Sequence, residues 1–261
     1  MPSANFAPST IWTGDNLDVM RGMNSACVDL IYLDPPFNSN RHYQAPIGSK
    51  AAGAAFKDAW TLDDVDMCEH GELADRNPAV YTVIAAAKEA HGKSMQSYLI
   101  FMAVRLLEMH RVLKPTGSIY LHCDPTASHY LKLLMDGIFG RSGFKNEIVW
   151  SYRRWPSKSR NFQTMHDVIL FYTGSEEHTF NVSYEPPSES YLKRFKGKTQ
   201  VLDPETRTRK MVVDKPTKGL PMRDVWEQSL PDHPKSALAT PHRSLWPLRT
   251  ASSKPVQILA I

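Results

Sequence analysis

The chain has 261 residues, with 31 Lys and Arg against 27 Asp and Glu and 42% apolar residues. That supports one sizeable core with an appendage, and so mild a basic excess alone identifies no partner. Cys27, Cys68 and Cys123 are far apart, with no CxxC pair and no ligand-like histidine spacing, which argues against a disulfide framework and a structural zinc site. The longest apolar stretch, Tyr98 to Met109, is interrupted by Arg105 and Glu108, so no membrane span is expected. No basic segment followed by an apolar core opens the chain. The expectation is therefore a cytoplasmic protein of a reducing compartment, without a metal site.

The first clear element is the apolar run Leu30-Ile31-Tyr32-Leu33, preceded by Val28-Asp29, which reads as a buried strand of a parallel sheet. Asp34-Pro35-Pro36-Phe37 follows it. Neither proline can donate a ladder hydrogen bond, so the strand must break there. Open α/β sheets place their ligands at that carboxyl end. The break leaves a carboxylate, carbonyls whose amide partners are missing, and an aromatic ring. This set suits a planar, amino-bearing base: the acid and a carbonyl accept the two amino hydrogens, and the ring stacks. The plainer alternative is a turn after a strand.

Residues 45–93 read as a weakly patterned loop insertion, rich in small residues and containing Phe56-Lys57-Asp58-Ala59-Trp60. From Ser97 to Leu113, residues Leu99, Met102, Leu106, Met109 and Leu113 recur at helical spacing. Lys114-Pro115-Thr116-Gly117 should stop that helix. Ser118–Cys123 reads as a strand, and Asp124-Pro125 as the N-cap and first-turn proline of a helix to about Phe139. Glu147–Trp150 and Val168–Tyr172 are two further apolar strands, expected to pair antiparallel. The alternation of strands and helices predicts an α/β fold. The link between the last two strands carries Arg153, Arg154, Lys158 and Arg160 with Trp155 and Phe162. From about Glu176 the pattern degrades into prolines and charge. Between Lys193 and Lys218 there are nine Lys or Arg against three acids, with Tyr191 and Phe195 at one end. A solvated loop would look similar, but with a base-gripping shelf upstream, phosphate contact is the better reading.

Several segments recur together. Thr13-Gly14-Asp15-Asn16-Leu17, the first strand and DPPFNSN are followed by RLLEMHRVLKPTGSIYLHCDPTASHYLKLLMDGIFG, NEIVW and HDVILFYTG. In this order they resemble the β-type DNA adenine methyltransferases, over about residues 11 to 230. The resemblance implies a Rossmann-like methyltransferase sheet in permuted motif order, with S-adenosyl-L-methionine as cofactor and double-stranded DNA as substrate. It implies methyl transfer to adenine N6, with Asp34, Pro35, Pro36 and Phe37 as the catalytic shelf and Asp15 close to the cofactor. Arg153, Arg154, Lys158 and Arg160 are expected to contact DNA. A cognate restriction endonuclease and a second copy of the chain are the further partners it suggests. In the group, Asp at the first shelf position goes mostly with adenine and Ser mostly with cytosine N4. The absence of a Pro-Cys nucleophile speaks against cytosine C5 chemistry. The alternatives kept open are a cytosine-N4 methyltransferase and a catalytically silent DNA-binding remnant.

The chain departs from the group after the basic region. It has neither a YPTQKP segment nor an FxGxG cofactor loop. One permitted codon set for Ala239 onward, started at its third base, translates as YPTQKPLAL. The tail is therefore read as an out-of-frame replacement beginning near Pro234. The expected organisation is a catalytic core over 1–180, a basic DNA-recognition arm over 181–232 and an aberrant tail over 233–261. On this reading the sheet is incomplete at its C-terminal side, one edge is unpaired, and activity and cofactor binding are impaired.

Overall fold

The computed structural model describes residues 4–35, 41–44, 55–58, 67–153, 160–202, 206–207, 209–228 and 258–260. In chain order the elements are α1 (Asn16–Arg21), β1 (Val28–Leu33), β2 (Arg41–Gln44), β3 (Ala55–Asp58), α2 (Met67–Arg76), α3 (Pro78–His91) and α4 (Lys93–Val112). They continue with β4 (Leu113–Cys123), α5 (Ser128–Phe139), β5 (Phe144–Tyr152), β6 (His166–Thr173), β7 (Tyr184–Glu185) and α6 (Glu189–Phe195). The last are β8 (Lys198–Leu202), β9 (Arg209–Pro216), β10 (Leu220–Pro221), β11 (Val225–Gln228) and β12 (Ile258–Ala260). The chain divides into two compact units, one comprising 1–179, 224–232 and 255–261, the other 180–223 and 233–254.

The first unit is built on a six-stranded mixed sheet in the order β11-β5-β6-β4-β1-β12. β4, β1 and β12 are mutually parallel. β6 runs antiparallel to both its neighbours, and β11 is parallel to β5. One face carries the hydrophobic core. Ile31, Leu33, Ile119, Leu121, Val168 and Leu170 there join Val80 and Ile84 of α3, Leu99, Met102 and Leu106 of α4, and Leu131 and Leu134 of α5. The strand residues alternate with neighbours pointing to the opposite face, as a pleat of period two requires. α4 follows the anticipated helical spacing but begins earlier, at Lys93. β5 and β6 form the anticipated antiparallel pair, each longer than its apolar run.

Four local expectations are corrected. Within 45–93, α2 and α3 are helical rather than loop. Asn77 Oδ1 accepts from the Val80 amide at 3.2 Å, Pro78 follows the cap, and Val80, Ile84 and Ala87 are buried. A side-chain cap with proline in the first turn is a strong helix start. Lys114–Gly117 does not separate helix from strand, because β4 starts at Leu113. The extra residues are absorbed as a register shift against β1 between Val28 and Leu30, in the manner of a β-bulge. Asp124 acts one turn before α5, accepting from the Thr126 and Ala127 amides at 3.1 and 3.3 Å.

The fourth correction concerns the sheet edge. One edge of the sheet is expected to be unpaired for want of the C-terminal strands, yet β12 from the tail pairs with β1 in parallel, Leu30 with Ile258, Ile31 with Leu259 and Tyr32 with Ala260. A short apolar run can add to a parallel sheet without the alternation that marks an amphipathic strand. The rest of the tail, 233–257 and 261, lies outside the described residues. Residues 225–228, expected in the arm, pair with β5 in the main sheet.

The second unit holds the antiparallel pair β7–β10, the antiparallel pair β8–β9, and α6. Ser188 caps α6 by accepting from the Tyr191 amide, and Lys196 ends it in the left-handed conformation at φ 50°. Among the described residues, no helix is long and apolar enough to cross a membrane.

Candidate active site at the carboxyl edge of the sheet

β1, β4 and β5 end at one edge of the sheet, where antiparallel β6 begins. Strand alternation and register place Tyr120 and His122 of β4, Asp167 of β6 and Trp150 of β5 on the face away from the helical core. Asp34, the residue after β1, meets this group. Its side chain is 30% exposed, and Pro35 behind it is buried.

His122 connects the acids. Its Nδ1 lies 3.1 Å from Asp34 Oδ1, and its Nε2 lies 3.5 Å from Asp167 Oδ2. The Tyr152 hydroxyl donates to Asp167 Oδ1 at 3.0 Å. The Trp150 ring is 5.3 Å from the imidazole, centroid to centroid. Burial disfavours the charged ring, but the nearby carboxylates of Asp167 and Asp34 outweigh it, and the pKa is pushed up to about 9. Both carboxylates thus favour the protonated ring at neutral pH. Tyr32 is held well above the usual phenol range by burial and by the charges of Asp34 and Asp167. Burial likewise pushes the Cys123 thiol well up, which keeps it from acting as a thiolate nucleophile.

Asp15 is placed differently. Its carboxylate caps α1, accepting from the Leu17 amide at 2.9 Å, and takes two hydrogen bonds from Arg105 Nη2 at 2.9 and 2.8 Å. Arg105 Nε donates to Asn16 Oδ1 at 2.9 Å. The arginine side chain is only 10% exposed, whereas that of Asp15 remains 51% exposed. Arg153 and Arg160 are both exposed. Pro36, Phe37, Arg154 and Lys158 lie outside the described residues.

In the second unit Lys193, Arg194, Lys196, Arg207, Lys215 and Lys218 are exposed. The Tyr191 ring lies 4.9 Å from that of Phe195, and its hydroxyl donates to the Lys198 carbonyl at 2.9 Å. The basic stretch is thus tied to a short ordered helix.

Sequence reasoning missed His122, Asp167, Trp150 and Tyr152. The signal for His122 was its position near the end of a strand that should be buried on both faces, where an imidazole needs a partner. His166-Asp167, at the head of the run leading to Thr173, offered an equivalent polar pair.

A family model described as DNA methylase matches residues 28–259. The Mod subunit of the type III restriction-modification enzyme StyLTI, from Salmonella typhimurium, is 32% identical over 188 residues, covering 70% of this chain and 26% of that protein. The type II methyltransferase M.KpnI of Klebsiella pneumoniae is 26% identical over 172 residues, covering 64% of this chain and 33% of its own length. For M.EcaI of Enterobacter cloacae the figures are 29% over 195 residues, 73% and 34%. The chain thus spans about a quarter to a third of the length of these relatives.

Proposed function

The chain belongs to the DNA methylase family, and from that membership and the Asp34 site we propose that it methylates the N6 amine of adenine at specific sites in DNA. The observation that carries this reading is Asp34 at the carboxyl end of β1, partly exposed and held from behind by His122. An exocyclic amine is a poor nucleophile because its lone pair is delocalised into the ring. Asp34 and a carbonyl of the Pro35-Pro36 segment accept the two amino hydrogens and favour a more tetrahedral nitrogen. Alignment of that nitrogen with the methyl carbon supplies much of the rate. The base must leave the duplex, at about a few kcal/mol, and Phe37 stacking recovers part of that cost.

S-adenosyl-L-methionine supplies the activated methyl group when bound. The donor chemistry suits it, since a cationic sulfonium is favoured beside Asp34, Asp124, Asp167 and the rings of this edge. We assign Asp15, still half exposed after Arg105 engages it, to the same cofactor. The exposed basic residues between 193 and 218, with Arg153, Arg154, Lys158 and Arg160, are assigned to phosphates. The name of the StyLTI relative places it in a restriction-modification enzyme, which favours a restriction endonuclease as cognate partner.

The second reading is a DNA-binding chain without catalysis. Calorimetric titration with S-adenosyl-L-methionine, followed by methyl transfer to duplex DNA, separates the two. Transfer that Asp34→Asn abolishes supports the first reading. DNA retention with no saturable cofactor site and no transfer supports the second.

A further inference from the structure

We propose that His122 is a positioning residue for Asp34, clamped between two carboxylates so that one Asp34 oxygen is engaged and the other is left to meet the amino group. This rests on reading Asp34 as the base-gripping acid. The imidazole comes from β4, its two carboxylate partners from the end of β1 and the start of β6, and its side chain is only 4% exposed. Each ring nitrogen faces a carboxylate oxygen, at 3.1 Å and 3.5 Å. A neutral imidazole would turn a lone pair toward one of these acids, so two carboxylates at these distances favour the protonated ring.

The clamp extends beyond the ring. Tyr152 on β5 donates to Asp167 Oδ1, while Asp167 Oδ2 is the oxygen nearest His122. Asp167 is thereby fixed from one side and the imidazole from the other. With its Oδ1 engaged, Asp34 loses freedom to rotate and presents Oδ2 in one orientation. That kind of rigid support sets reacting groups within the narrow tolerance methyl transfer needs. The groups facing His122 from its neighbours are Asp34 with Tyr32 beside it on β1, Asp167 on β6, and Trp150 and Tyr152 on β5. His122 supplies the cation of this set.

Two measurements on the full 261-residue chain test the clamp. The first is NMR of ring-labelled histidine as a function of pH, in the wild type and in Asp34→Asn and Asp167→Asn. His122 should stay doubly protonated at neutral pH and titrate near 9, and each substitution should lower its proton affinity by about tenfold or more. A ring neutral at neutral pH, or one indifferent to both substitutions, overturns the proposal. The second is steady-state methyl transfer. His122→Ala should lose on the order of 100-fold in kcat with KM for DNA and cofactor unchanged, and His122→Asn, whose amide can still donate to Asp34, should recover part of it. An unchanged kcat, or a loss confined to KM, also overturns it. A wild-type chain that transfers no methyl group refutes the reading of the site instead, and the titration still decides the clamp.

Discussion

Raising the pH should destabilise the first unit through loss of the His122 charge. In the folded chain its pKa is pushed from 6.5 to about 9 by Asp167 and Asp34, against the opposing effect of burial. A group whose folded pKa lies above its unfolded value contributes its full stability below the unfolded value. That contribution disappears as the pH climbs through the folded one. At about 1.36 kcal/mol per tenfold change in proton affinity, the loss between pH 6.5 and pH 9 is about 3 kcal/mol. The side chain is almost fully buried, so solvent screening removes little of this. Against a typical domain stability of about 5–15 kcal/mol it is a large fraction. Urea unfolding of the wild type and His122→Gln across this range isolates the effect, since other titrating groups are common to both chains. The difference between them should narrow by about 3 kcal/mol from low to high pH. Two curves separated by a constant offset would refute the imidazolium clamp.

Asp34→Asn should lower methyl transfer by on the order of 100-fold or more while leaving duplex binding by gel shift unchanged, because the residues proposed for phosphate contact are others. A parallel loss of DNA binding would place Asp34 in a structural role. The double substitution Lys193→Gln with Arg194→Gln should flatten the dependence of log affinity on log salt by about 2, and an unaltered slope would remove both residues from the DNA contact. Gly174→Ala should cost about 1–3 kcal/mol in thermal or urea unfolding. A Cβ there would fall 2.6 Å from the Lys114 carbonyl and 3.0 Å from that of Pro115. A neutral result would mean that the start of β4 yields.

The elements legible in the sequence were those specified by dense local pattern. The run Leu30–Leu33, the spacing from Leu99 to Met109 and the apolar stretches around Ile148 and Ile169 each fix an element without reference to the rest of the chain. α3 was equally local, since Asn77-Pro78 with Val80, Ile84 and Ala87 spells a capped amphipathic helix. It was overlooked because the alanine-rich surroundings dilute the pattern. β12 could not be found that way: three apolar residues pair with β1 across more than two hundred positions, and nothing local distinguishes them from a tail. The same holds for the clamp. Asp34 announces itself beside two prolines, but His122 and Asp167 acquire meaning only when β4 comes between β1 and β6. Asp15 shows the converse. A residue picked out for the cofactor is engaged as a helix cap and as the partner of buried Arg105, contacts that no motif discloses.

The most direct test of the account is to incubate the 261-residue chain with methyl-labelled S-adenosyl-L-methionine and duplex DNA, digest the DNA to nucleosides and identify the labelled one. N6-methyladenine is expected, present with the wild type and absent with Asp34→Asn. N4-methylcytosine as the sole labelled product, or unlabelled DNA that the chain nevertheless binds, would contradict it.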